Sequence, residues 1–273
     1  MSERVDVALF RRGLAPSRER ARALVMAGVV YVDGRRADKA GMPVPEGAAV
    51  EVREDPVPFV SRGGLKLQKA LGVFGIDLTG AYALDVGAST GGFTDCMLQN
   101  GAAHVCAIDV GYGQLDWKLR GDARVTVMER TNARYMEPGW FAQPAAFASI
   151  DVSFISLRLI LPPLLPCLAP DGTVVALVKP QFEAGRGEVG KHGVVRDPAV
   201  HAAVCRQVIG FADGLGYAVR GLSFSPITGP KGNIEFLLHL QRAQDRPPVP
   251  DAAAVEAVVA AAHAGVRAHA GEG

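Results

Sequence analysis

Four ionisable residues stand at the margins of apolar segments. Lys179 closes the run Val174-Val175-Ala176-Leu177-Val178, and Asp151 closes residues 146–150. Lys66 lies in Ser61-Arg62-Gly63-Gly64-Leu65-Lys66, and Glu235 falls in a later apolar stretch, residues 233–240. A lysine ending an apolar strand is costly unless it is paired or exposed. Two lysines and two acids around one crevice would satisfy one another, and such a cluster can move a proton. The bland alternative is a pair of ordinary ion pairs.

A second group of residues suits a ligand. Asp85-Val86-Gly87-Ala88-Ser89-Thr90-Gly91-Gly92-Phe93 follows an apolar strand and opens a helix. The small residues Gly87, Ala88, Ser89, Gly91 and Gly92 let the backbone turn sharply and approach a ligand, with Phe93 entering the helix. Dinucleotide loops carry G-x-G-x-x-G, with helix N–H groups around a pyrophosphate. Here Ser89 replaces the middle glycine, and the acid Asp85 would repel a pyrophosphate while suiting a cation. Both departures favour S-adenosylmethionine. Asp109, ending the next strand, has the spacing of an acid that grips an adenosine ribose. Asn132, in Thr131-Asn132-Ala133-Arg134, contacts the adenine end or makes a turn. Taken singly, Asp85 and Asp109 could equally be helix caps.

The elements that must position these residues alternate. Helices are expected over 64–74, 91–100, 115–120, 157–168 and 198–215, with strands over 83–86, 104–108, 125–128, 146–150, 173–178, 217–224 and 233–240. That order predicts an α/β fold with a Rossmann-like, doubly wound, mainly parallel sheet. The last two strands lack a helix between them and should pair antiparallel. The site would then lie at the carboxyl edge of the sheet. Residues 185–193, glycine-rich and containing Arg186, Lys191 and His192, read as a lid over the site or as a solvated loop. His192 and His201 are expected at the surface. Residues 251–264 form an alanine-rich helix candidate, docked or frayed.

Residues 1–54 differ in character. A helix over 6–13, a second capped by Ser17 and stopped by Gly28, and a hairpin at Asp33-Gly34 predict a small α+β domain. Arg4, Arg11, Arg12, Arg18, Arg20 and Arg22 gather there, with Glu19 as the opposing acid. Arginine's planar fork suits phosphates, so this region is expected to bind RNA. Val5, Ala8, Leu9, Ala21, Leu24 and Val25 should pack between the helices. Residues 55–60, with Pro56 and Pro58, read as a linker; the larger domain spans 61–246, and 247–273 form a proline-rich connection and a helix or tail.

The composition narrows the function classes. The 273 residues suffice for one large and one small domain. Net charge is only +1, so any nucleic-acid surface must be local. Cys96, Cys106, Cys167 and Cys205 form no CxxC pair, which argues against zinc and against a disulfide framework, and no metal site is expected. The opening Met-Ser-Glu-Arg-Val-Asp lacks the apolar core of a signal peptide, and no apolar run approaches the ~20 residues of a membrane span. A cytoplasmic protein without membrane partners is expected.

Together, Lys66, Asp151, Lys179 and Glu235 resemble the Lys-Asp-Lys-Glu tetrad of FtsJ-type ribose 2′-O-methyltransferases. Residues 85–95, 109–115, 129–134, 151–157, 177–182 and 229–236 resemble the TlyA family, which joins an S4-type RNA-binding domain to an FtsJ-like domain. The likeness runs from about residue 3 to 246 and weakens in the proline-rich linker and after Pro250. It implies S-adenosylmethionine as cofactor, ribosomal RNA and ribosomal subunits as partners, and methylation of cytidine 2′-hydroxyls in 23S and, in some members, 16S RNA. A ribose hydroxyl is a poor nucleophile, so a base must take its proton as methyl arrives. A lysine, ordinarily protonated at neutral pH, serves only if its surroundings favour the neutral form. Rival readings are a nicotinamide oxidoreductase, against which Ser89 speaks, and a non-enzymatic assembly factor, against which the complete tetrad speaks. Some relatives carry a hemolysin label, but no span or amphipathic helix suited to pore formation is evident.

Overall fold

A computed structural model describes residues 2–53, 57–190, 192–229 and 231–270. Asp55 and Pro56 of the expected linker, Lys191 of the glycine-rich loop and the terminal residues 271–273 lie outside the described residues. The chain divides into two compact units, Met1–Arg62 and Gly63–Gly273.

In the first unit, β1 (Glu3–Arg4) leads into α1 (Val5–Arg11), followed by α2 (Arg18–Ala27). The Ser17 hydroxyl accepts from the Arg20 N–H at 3.0 Å, satisfying one orphan donor of α2. Gly28 ends that helix at φ 77°. β2 (Val30–Val32) and β3 (Arg35–Arg36) form the expected hairpin, in which Asp33 and Gly34 both take positive φ, as a tight hairpin turn requires. β4 (Pro43–Val44) pairs with β1, and β5 (Val50–Val52) pairs with β2. Val5, Ala8 and Leu9 of α1 bury against Ala21, Leu24 and Val25 of α2 and the strand residues Val30 and Val32. The 3–4 residue spacing on each helix dictates that shared face.

The second unit begins with α3 (Gly63–Phe74) and β6 (Tyr82–Val86), then α4 (Gly92–Gln99), β7 (His104–Ile108), α5 (Trp117–Arg120) and β8 (Val125–Met128). It continues with β9 (Ala145–Ile150), α6 (Leu161–Leu164), β10 (Leu168–Val178), α7 (Pro180–Glu183), α8 (Pro198–Gly214), β11 (Ala218–Phe224), β12 (Phe236–Gln241) and α9 (Ala252–Ala270). The seven strands order as β11-β12-β10-β9-β6-β7-β8. β6 to β10 pair in parallel, while β12 runs antiparallel to both neighbours. The central strands β6, β7, β9 and β10 are largely apolar and buried, as covered parallel strands require, while the edge strands β8 and β11 are partly exposed.

Three local expectations change. The helix expected over 157–168 is broken into the 3-10 turn Leu157–Leu159, the short α6 and a second 3-10 turn Leu165–Cys167. Pro162, Pro163 and Pro166 lack the N–H a continuous helix needs. Glu235 lies one residue ahead of β12 rather than within it, its carbonyl accepting from the Ser225 N–H at 2.9 Å. The third change is His201, expected at the surface and found fully buried in α8. Its position on the inner face follows from Ala202, Val204, Cys205 and Val208, which share the core.

His201 helps to dock α9. Val255, Val259 and Ala262 of that helix are buried in the main core. His201 Nε2 lies 3.2 Å from the Val195 carbonyl and must donate to it, which leaves Nδ1 to accept from His263 Nε2 at 2.9 Å. Burial, then the neighbouring His263, pushes the His201 pKa down to about 4; burial, then Arg220, does the same at His239, also to about 4. Between these values and the ordinary 6.5, the unfolded chain binds more protons than the folded one. Stability is therefore expected to fall as pH drops from about 6.5 toward 4. A His201→Gln variant should show a flatter fall when melting temperature is measured across that interval. An equally steep profile would place the titrating groups elsewhere.

Candidate active site

β6 pairs with β7 on one side and β9 on the other, all parallel. The chain leaves the sheet in opposite directions from this point, and the carboxyl ends of the strands open a crevice there. The loop after β6 crosses it: the Gly87 and Ala88 N–H groups donate to the Ile108 carbonyl at 2.8 and 3.1 Å, and the Asp151 N–H donates to the Val86 carbonyl at 2.9 Å. Gly87 has φ 89°, and a Cβ there would stand 2.8 Å from the Asp151 carbonyl oxygen. Gly91, at φ 94°, has the side chains of Leu119 and Leu115 where its Cβ would be. Ser89 adopts φ 49°, the left-handed conformation a glycine takes more readily.

Asp109 explains how that serine is held. Its Oδ2 accepts from the Ser89 N–H at 2.8 Å, and its Oδ1 accepts from the Gly111 N–H at 2.7 Å. A small cavity opens beside it, lined by Ala88, Ala107, Leu115 and Val127 with Asp109 and Glu129 at its edge. The Glu129 carboxylate sits below its usual range, chiefly because Arg120 donates to it, with further help from the Gly113 N–H.

Other members of the expected cofactor set take different positions. Asp85 is fully buried, accepting from the Thr94 and Ser149 hydroxyls at 2.7 and 3.0 Å. Burial raises its pKa to about 6 against the lowering by these hydroxyls. Asp85 thus ties α4 to β9, both of its carboxylate oxygens engaged by hydroxyls at the position where a cationic ligand was expected. Gly92 and Phe93 are buried at the start of α4. Asn132 is exposed, and its side chain accepts from the Arg134 N–H at 3.1 Å, capping a 3-10 turn.

The four charged residues do converge. Lys179 Nζ lies 2.5 Å from Asp151 Oδ1, and Lys66 Nζ lies 3.5 Å from Asp151 Oδ2 and 2.6 Å from Glu235 Oε2. α3 supplies Lys66, the end of β9 supplies Asp151, the end of β10 supplies Lys179, and the turn before β12 supplies Glu235. Lys66, Lys179 and Glu235 are buried. Burial pulls Lys66 down, but Asp151 and Glu235 outweigh it and hold the ammonium above the ordinary lysine range. Burial likewise pushes Asp151 up, but Lys66 and Lys179 overcome it and hold the carboxyl below its usual value. The two lysines differ: two carboxylates clamp Lys66, whereas Lys179 meets one carboxylate and the Ser153 hydroxyl, to which it donates at 3.1 Å.

Several neighbours of this cluster are not evident in the sequence reading. Phe154 is 91% exposed at φ 63°, its ring 5.0 Å from that of Phe182. A solvent-facing aromatic beside buried lysines is a ready stacking surface, but in sequence Phe154 is indistinguishable from a core residue. Glu183 fixes the 3-10 turn Leu157–Leu159, accepting from the Ser156 hydroxyl at 2.6 Å and the Leu157 N–H at 2.7 Å. Asn233, also buried, donates to the Gly193 carbonyl and accepts from the Val195 N–H. It fastens the end of the glycine-rich loop to the turn carrying Glu235. His192 is exposed in that loop. Among the described residues, no group of three or more His, Cys, Asp or Glu is placed to hold a metal ion.

In the first unit the arginines form two groups rather than one patch opposed by Glu19. Arg11 and Arg12 reach Glu3, and Arg12 also donates to the Ala48 carbonyl. Arg4, Arg18 and Arg22 surround Asp6, while Arg20 is exposed. The sequence reading overlooked Asp6, whose carboxylate turns into the unit because it occupies the first turn of α1 on the face toward α2.

Comparison with known proteins defines the class first. FtsJ-like methyltransferases match residues 59–242, and the S4 domain matches residues 3–50. A Bacillus subtilis protein provisionally designated an rRNA methyltransferase, YqxC, is 57% identical over 87% of this chain and 85% of its own. The 16S/23S rRNA (cytidine-2′-O)-methyltransferase TlyA of Mycobacterium tuberculosis is 48% identical over 89% of this chain and 91% of its own. A solved structure from Streptococcus thermophilus, provisionally designated a hemolysin, is 50% identical with a TM-score of 0.79, covering 98% of each chain. The protein is a methyltransferase of the FtsJ-like class. It belongs to the TlyA family, in which an S4 domain precedes that methyltransferase domain.

The Gly87 backbone is expected to tolerate no side chain. A Gly87→Ala variant should lose roughly 1–3 kcal/mol of stability from the left-handed strain alone, and more from the clash with Asp151. Denaturant unfolding measures the loss; a variant as stable as the parent would mean that the loop can move away from β9 at little cost.

Proposed function

We propose that this protein transfers a methyl group from S-adenosylmethionine to the 2′-hydroxyl of cytidine in ribosomal RNA, in the large subunit and also the small. The observation that carries the reading is the Lys66–Asp151–Lys179–Glu235 cluster at the carboxyl ends of β9 and β10. The M. tuberculosis relative, named for this reaction on 16S and 23S RNA, supports the substrate. This reading places the protein with ribosomes in the cytoplasm. No helix among the described residues is long and apolar enough to cross a membrane.

When bound, S-adenosylmethionine supplies an electrophilic methyl group on a sulfonium. Ala88, Leu115 and Val127, with Asp109 and Glu129 beside them, are the residues that would hold its adenosine part. Asp109 serves by fixing the backbone of Ser89 and Gly111 and by offering its remaining lone pairs to a ribose. Lys66, clamped by two carboxylates, keeps its charge beside the reacting hydroxyl. Lys179 takes the hydroxyl proton and must enter the reaction deprotonated; it is the lysine held by a single carboxylate. Phe154 offers a face on which the base of the target nucleotide stacks, as unpaired bases do on exposed aromatics. The S4 domain supplies RNA affinity that the nearly neutral chain as a whole lacks.

Lys179→Ala is expected to abolish methyl transfer to unmodified ribosomal RNA while S-adenosylmethionine affinity, measured by calorimetry, stays within a few-fold. Near-normal turnover would remove Lys179 from the base role. Mass-spectrometric mapping of ribose methylation in RNA from cells with and without the protein tests the substrate. Identical maps would leave an RNA-binding assembly role.

Asp109→Ala should weaken S-adenosylmethionine binding by roughly 1–3 kcal/mol, the range for a hydrogen bond to a charged group. Unchanged affinity in the same calorimetric measurement would place the ribose elsewhere.

A further inference from the structure

Among the described residues of the first unit, Asp6 is the acid with no exposed surface, covered by three guanidiniums. Arg4 grips it with two donors, Nε at 2.9 Å and Nη2 at 3.2 Å. Arg22 Nε lies at 3.1 Å and Arg18 Nη2 at 3.5 Å, both on Oδ2. The three arginines come from β1 and from the first two turns of α2, and the carboxylate from the first turn of α1. One carboxylate and three guanidiniums leave a local charge of 3 − 1 = +2. The arginine side chains remain 53%, 51% and 56% exposed, so each guanidinium keeps donors directed to solvent. Arg4 lies over Gly41, where a Cβ would stand in ordinary contact at 3.6 Å from its guanidinium carbon.

A surface made only to be soluble would not need a buried carboxylate in its middle. Three long side chains fixed on one acid have already lost much of the rotamer freedom that binding would otherwise cost. Their guanidiniums are gathered on one carboxylate with an uncompensated double charge, and half-exposed forks of this kind are the recognition chemistry of phosphate oxygens. Arg11 and Arg12 contrast with this, because Glu3 meets both and Arg12 is spent on a carbonyl.

We propose that Asp6 is a positioning residue that holds Arg4, Arg18 and Arg22 as a preorganised clamp for a backbone phosphate of RNA. The inference rests on the RNA-methylating reading above and adds which arginines grip the backbone and what aims them. It separates from a simple count of charges. Removing the carboxylate raises the local charge to +3, so net charge alone predicts tighter RNA binding, whereas loss of aim predicts weaker binding.

The test measures full-length protein binding to in vitro transcribed, unmodified 23S ribosomal RNA across a salt series. Asp6→Asn is expected to bind roughly tenfold more weakly at fixed salt, the effect of losing about one charge-assisted contact, with a shallower salt slope. Arg18→Lys and Arg22→Lys, which keep the charge but lose the fork, should shift the same way. Arg35→Lys, at the hairpin and outside the cluster, should not. S-adenosylmethionine binding and circular dichroism report whether each variant is folded; if Asp6→Asn is not, the two lysine variants decide. Affinity equal to or above the parent's in Asp6→Asn, or in both lysine variants, overturns the clamp while leaving RNA methylation standing. A parent protein with no salt-dependent affinity for the RNA overturns the RNA reading and the clamp with it.

Discussion

Two lysines and two acids lie together at the edge of an apolar sheet, and none of them would be tolerated there alone. An isolated buried charge costs several kcal/mol, and removing one partner of a buried pair leaves that cost uncompensated. Their mutual pairing is what lets Lys66, Lys179 and Glu235 be buried at all. It also imposes geometry on the fold, since the four residues come from a helix, two strand ends and a turn that are far apart in the chain. Each of those elements must arrive within ion-pair distance of Asp151 or Glu235.

Asp151 is the hinge of that arrangement because it belongs to two systems. Its side chain joins both lysines, and its backbone meets the loop after β6, through its own N–H to Val86 and through the close approach of Gly87. A shift of the loop after β6 is therefore also a shift of the four-residue charge cluster. Asp85 and Thr94 stiffen the same loop from beneath, and Asn233 links the turn carrying Glu235 to the glycine-rich loop at Gly193. Buried polar contacts of this kind are exacting when fully satisfied, and they hold reacting groups to within fractions of an ångström.

The first unit solves a smaller version of the same problem with the opposite balance. There a single buried carboxylate organises three exposed guanidiniums and leaves a surplus of positive charge. In the catalytic unit the charges cancel because they are buried; in the small unit they need not, because solvent reaches the arginines.

What the sequence by itself determined is what local physics encodes. The runs ending at Val86, Ile108, Met128, Ile150 and Val178 are strands, because short apolar runs bounded by turn residues have few alternatives. Ser17, Gly28 and Asp33-Gly34 marked helix and hairpin boundaries through their own backbone preferences. The cluster of Lys66, Asp151, Lys179 and Glu235 was legible because lysines and acids at strand ends are costly enough to require one another, and because the motifs resemble a family. Tertiary structure alone decided which way each side chain turned. The same residue type is buried at Asp85 and half-exposed at Asp109, and His201 is core while His192 is surface. Phe154 points to solvent because its backbone is held at positive φ beside a charged cluster. Asp6 collects arginines that the chain order separates by up to 16 positions. Burial and pairing are sums over neighbours distant in sequence, and no local pattern carries them.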